Sequence, residues 1–176
     1  IMPHKNIIHP ELMHAMHRIY DVSGFDCTQP EMELESAEYA AYAFKVNSRA
    51  VRFRVAKITP TKTGQFVTLW KRIGKGPIQP YDISDSVDFF VIHTRKDDRC
   101  GQFIFPKSVL AQKNIFSMDG QGGKRAMRVY PPWDTNLNRQ AQRTQDWQVT
   151  YFLEIPPQGG IDLMDIARAK MLYSKI

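Results

Sequence analysis

The chain of 176 residues carries 24 Lys and Arg against 18 Asp and Glu, a net charge of +6, with 43% hydrophobic and 11% aromatic residues. That is enough apolar material for one domain with a buried core, which excludes a disordered chain, and no apolar run approaches the roughly 18–20 residues that span a bilayer. Cys27 and Cys100 stand far apart, outside any CxxC or Cys/His spacing, so no disulfide framework is expected and a cytoplasmic location without a secretory leader is the natural expectation.

In chain order, the spacing of Leu12, Met13, Met16, Ile19 and Tyr20 predicts a helix over Pro10–Asp21, with Pro10 in its first turn. The acidic segment QPEMELESAEY follows. Tyr39–Val46, Ala50–Ile58 and Gln65–Arg72 read as three strands of an antiparallel meander, turned at Asn47-Ser48 and at Thr59–Gly64. After the loop GKGPIQPYDISDS, Val87–His93 is a nearly unbroken apolar run, expected in the middle of a mixed sheet with both faces buried. Gln102–Phe105 is another strand, Pro106–Lys113 a short helix, and Gly120–Gly123 a loop feeding a strand over Lys124–Tyr130. Asp134 is expected to cap a long helix from Thr135 to Leu153, stopped by Pro156. A last helix is predicted over Asp162–Lys175, with Leu163, Ile166, Ala167 and Leu172 along one side. The expected class is α+β: a mixed β-sheet with an antiparallel meander, flanked by helices.

Charge is segregated along the chain. From Tyr39 to Tyr81 there is no carboxylate, yet the interval holds Lys45, Arg49, Arg52, Arg54, Lys57, Lys62, Lys71, Arg72 and Lys75. Like charges on neighbouring strands repel, so either an anionic partner meets this surface or the acidic N-terminal segment folds over it. In the predicted strands Lys57 continues the face of Val51, Phe53 and Val55, and Lys71 that of Val67 and Leu69. Together with Thr59, Thr61 and Lys62 of the intervening turn, and with Arg52, Arg54 and Arg72, these lysines form a candidate phosphate-contacting set. Snorkelling at the ends of core-facing strands is the competing explanation. A second basic stretch is GQGGKRAMRVYPPW, with Lys124, Arg125 and Arg128; it lacks the GK[ST] of a phosphate-binding P-loop. His4, His9, His14 and His17 do not form a zinc motif, and neither Ser108 nor Ser174 lies in a nucleophile elbow. Trp70, Trp133, Trp147 and Tyr151 are expected in the core.

The blocks FRVAKITPTKTGQFVTLWKR, GPIQPYDISDSVDFFVI, GQFIFPKSVL, GKRAMRVYPPWD and QAQRTQDWQVTYFLEI, in that order, resemble the MepB family from about Glu35 to Ile155. The flanks are then residues 1–34, an N-terminal helix and acidic segment, and 156–176, a C-terminal helix. The resemblance implies a small, soluble, bacterial protein with a restriction-endonuclease-like core and nucleic-acid binding. Such a core carries [DE]-x-K on a strand, with Mg²⁺ held by carboxylates. Lys57 and Lys71 fit the lysine, but Val55 and Leu69 stand two residues before them; Glu35, Glu38 or Asp88 would have to serve as displaced ligands. The expectation is a nucleic-acid-binding protein, DNA or RNA, with little or no cleavage, no membrane partner and no cofactor unless Mg²⁺ enters with catalysis. The alternatives are a divalent-metal nuclease using Glu35 or Glu38 with Lys57, and an interaction module for an acidic protein.

Overall fold

Burial decides which of the predicted strands join one sheet. The computed structural model describes residues 7–175, and His4 lies outside the described residues. In chain order the elements are helix α1 (Pro10–Ala15), continued by a π-helical stretch over Met16–Tyr20, then β1 (Glu31–Met32), β2 (Tyr42–Val46), β3 (Arg49–Val55) and β4 (Lys57–Ile58). Next come β5 (Gln65–Thr68), β6 (Trp70–Arg72), β7 (Ile78–Pro80), β8 (Phe89–Lys96), β9 (Arg99–Pro106) and α2 (Lys107–Gln112). The remainder is β10 (Ala126–Val129), α3 (Arg139–Gln148), β11 (Phe152–Ile155) and α4 (Leu163–Leu172).

A six-stranded sheet in the order β1-β2-β3-β8-β9-β11 forms the centre, antiparallel throughout except for the parallel β3–β8 pair. The protein is therefore α+β with a mixed sheet. Asn47 and Ser48 take φ of 49° and 68°, the left-handed pair that a two-residue hairpin between Val46 and Arg49 requires. Strand β8 lies inside the sheet, and Phe89 through Thr94 are wholly buried. Its alternate residues feed two cores. Phe89 and Val91 pack with Leu12, Ile19 and Tyr20 of the N-terminal helix and with Ala169 and Leu172 of α4. Phe90 and Ile92 pack with Val67, Met127 and Val129 of a second, three-stranded sheet, β10-β5-β4, with Leu69 just after β5, and with Leu110 of α2. Close pairing of β9 with β11 needs Gly101, because a Cβ there would come 2.4 Å from the Phe152 ring.

Three expectations are corrected. The meander is divided between sheets: the chain leaves the central sheet at Ala56, whose N–H donates to His93 O, and β4 then pairs with β5 in the small sheet. A second break at Leu69 sends β6 into a ribbon with β7. Both breaks reset the side-chain alternation, so Lys57 and Lys71 do not share the arrangement that parity predicts. The long helix Thr135–Leu153 is also shorter than expected. Asn138, not Asp134, caps α3 by accepting from Ala141 N at 2.8 Å, and Phe152–Ile155 is the edge strand β11, whose apolar side chains reach both cores. In α4, capped by Asp162, the buried side is Ala169 and Leu172, while Leu163 is 84% exposed. Trp133, Trp147 and Tyr151 pack half-buried against the second core, whereas Trp70 has the Arg72 guanidinium 5.7 Å from its ring. Both cysteines are free.

Candidate functional site

The acidic segment after α1 folds back beside β2 and reaches the cations of β3. Glu33 Oε1 accepts from Arg52 Nη1 at 2.6 Å, and Oε2 lies 2.7 Å from Arg54 Nη2. Arg54 is wholly buried, over the Phe90 ring. A charge withdrawn from water in this way needs its partner carboxylate, so Arg54 belongs to the core and presents nothing to a ligand. Lys71 is held at 2.7 Å by Asp85, and Arg72 sits 3.4 Å from Glu35. Four of the cations singled out in the sequence are thus matched by acids within the chain.

A different part of the basic stretch stays open. Across the small sheet, Lys57 is the partner of Phe66, and Phe66 of Arg128, so the three stand in one row on its outer face. Cations and rings alternate there: Lys57 Nζ lies 4.7 Å from the Tyr39 ring centroid, and Arg128 Cζ 5.9 Å from that of Phe66. Arg128 also brackets the hairpin tip, donating to Thr59 Oγ1 at 2.9 Å and to Thr63 O at 3.3 Å. Gly64 lets that tip settle on Tyr130, since its φ is +82° and a Cβ would come 2.6 Å from the tyrosine ring.

Among the described residues β10 has no strand on its other edge. The buried amide of Gln148 takes that place, accepting from Tyr130 N at 2.8 Å and donating to Arg128 O at 2.9 Å. This fixes α3 alongside β10 and leaves a groove of about 700 Å³ between the hairpin tip and the first turns of α3. Lys62, Lys113, Lys124 and Arg128 line it, and among the described residues no carboxylate does. Among the described residues none of these four is in an ion pair. Four cations around one concavity, without counter-charge, produce a focused positive potential. The loop that delivers Lys124 is tied down by Asp82. N–H groups of Gly120 and Ser84, with the Ser117 and Ser84 hydroxyls, hold its carboxyl well below the usual carboxylate range. Gly120 N and Gly123 N are spent on Asp82 and Asn114, so the glycines shape the loop and offer those amides to no phosphate.

The site residues predicted from sequence therefore separate. Thr61, Lys62, Lys124 and Arg128 converge on the groove, Thr59 braces it through Arg128, and Lys57 lies on the adjoining sheet face. Arg125 is exposed on the strand's approach, outside the lining. Arg52, Arg54, Lys71 and Arg72 are elsewhere. The residues considered for catalysis are dispersed as well. Asp88 accepts from Ala50 N at the start of β3, whereas Lys57 lies beyond the other end of that strand, in the small sheet. Glu35 is engaged by Arg72, and Glu38 is exposed. Among the described residues no group of three His, Cys, Asp or Glu is placed to hold a metal. His9 caps α1, His14 lies 3.9 Å from Cys100 Sγ, and His17 pairs with Asp21. Lys113 and the α3 wall were missed. One signal was available: between Arg99 and Gln145 the only acids are Asp119 and Asp134, against eight Lys and Arg.

Fold and groove together define an α+β protein with a central mixed sheet and a cationic cleft on its small-sheet side. A family model described as MepB-like matches residues 33–154, and the chain belongs to that family. It is similar to the solved structure of MepB, with 36% identity and a TM-score of 0.70, over 73% of this chain and 86% of that one. No curated protein matches. Among the described residues no helix is long and apolar enough to cross a membrane.

Proposed function

We propose that the protein binds nucleic acid through the groove between the Thr61–Thr63 tip and α3, extended by the outer face of the small sheet. The observation that carries this reading is the lining: four cations and no carboxylate around about 700 Å³. Phosphates are the ligand such a lining fits best, because each neutralised phosphate also releases condensed counterions. The alternating cations and rings of Lys57, Tyr39, Phe66 and Arg128 add a surface of the kind that tracks a sugar–phosphate chain. In this reading the mixed sheet is a restriction-endonuclease-like core that has kept binding without cleavage; the dispersal of Asp88, Glu35 and Lys57 supports that division. Free thiols at Cys27 and Cys100 accord with a reducing cytoplasm. The test is a fluorescence-anisotropy titration with labelled oligonucleotides. Lys62→Ala with Lys124→Ala is expected to weaken binding about tenfold, whatever the base sequence. Absence of binding by the parent protein at low salt overturns the reading.

A further inference from the structure

We infer that the groove takes a single unpaired strand, DNA or RNA, in preference to a duplex; this rests on the nucleic-acid reading above. The groove lies to one side of β10, with the hairpin tip facing α3, so its cations surround a hollow. A double helix keeps its bases paired inside and offers such a rim only phosphates. An unpaired strand can turn its bases into the hollow as well.

The uncharged side chains of the walls fit that second use. Thr61 and Thr63 on the tip, and Gln140 on α3, line the groove, and among the described residues their side-chain polar groups have no protein partner. Hydroxyls and an amide of this kind can bond the Watson–Crick edges that only unpaired bases expose. Tyr130 and Trp147 also line the groove and are half-buried, Tyr130 beside the Gly64 tip and Trp147 with Lys113 Nζ 5.4 Å from its ring centroid, so the uncovered part of each ring borders the hollow into which a base would turn. A site for duplex phosphates alone would have no use for the unbonded hydroxyls and amide.

The experiment compares labelled dodecamers of dU and rU, which differ only in the sugar, with a dodecamer duplex, at one low salt concentration, by anisotropy. The parent protein is expected to bind at least one of the unpaired strands about tenfold tighter than the duplex; which of the two it prefers identifies the natural sugar. The combined variant Thr61→Val, Thr63→Val, Gln140→Leu removes no charge, and all three positions are exposed, so folding is retained and checked by circular dichroism. It is expected to lose about fivefold or more in affinity for the unpaired strand and to leave duplex binding unchanged. Equal or tighter duplex binding, or an unaffected variant, overturns this inference while leaving the broader reading standing. Binding of none of the three probes overturns both.

Discussion

Glu33 decides what the cations of β3 are for. Its carboxylate, 14% exposed, serves Arg52 and the fully buried Arg54 at once. Removing one member of a buried pair strands the other's charge, at a cost of about 3–5 kcal/mol. Glu33→Gln is therefore expected to lower the urea midpoint strongly while leaving oligonucleotide affinity of the folded protein unchanged. A variant of normal stability and impaired binding would return Arg52 to the ligand surface. Glu11 makes a comparable clamp on the opposite face, accepting from Arg95 Nε at 2.7 Å and contacting His93 Nε2. Burial pushes its carboxyl up, but hydrogen bonds and charges from His93 and Arg95 outweigh this and hold it at about 2, below the ordinary 4.5. Because the folded value is the lower one, the stability it contributes is complete above pH 4.5 and disappears as the pH falls toward about 2. Glu11→Gln should melt at a lower temperature near pH 7 and lose less further stability between pH 4.5 and 2. Parallel melting curves for the two proteins would rule this clamp out.

At the scale of elements, the groove exists because α3 replaces a missing strand neighbour of β10. Gln148→Ala leaves Tyr130 N and Arg128 O without partners in a buried setting, which costs about 1–3 kcal/mol. The expected readout is faster hydrogen exchange at the Tyr130 amide, with weaker oligonucleotide binding as α3 loosens; unchanged exchange would show that another contact positions the helix. Much of the sheet was legible in the chain. The apolar run ending at His93 gave β8 its central place, and Asn47-Ser48 gave the hairpin its turn. What could not be read were the breaks at Ala56 and Leu69, where the local pattern continues but the chain changes sheet. Nor could FLEI be assigned: a short apolar run after a helix fits either state, and its pairing with β9 decides for strand.

Over the whole molecule, acids and bases are sorted by use. The N-terminal carboxylates Glu11, Glu33 and Glu35 neutralise Arg95, Arg52, Arg54 and Arg72. The excess positive charge is left to surfaces such as the groove. Three of the four groove cations were visible in the sequence, since Lys62, Lys124 and Arg128 sit in acid-free stretches. The burial of Arg54 was not, because its partner is twenty-one residues away in sequence. Lys113 and the α3 wall reach the groove only through tertiary packing. The most direct test of the central claim is the salt dependence of oligonucleotide binding. Four groove cations predict a log–log slope of about −3 for a single strand, at roughly −0.7 per phosphate contact. Lys62→Ala with Lys124→Ala should make that slope shallower by about 1.4, while Lys71→Ala, which removes only the partner of Asp85, should leave it unchanged. A slope near zero, or one that responds to Lys71→Ala and not to the groove pair, would contradict the account.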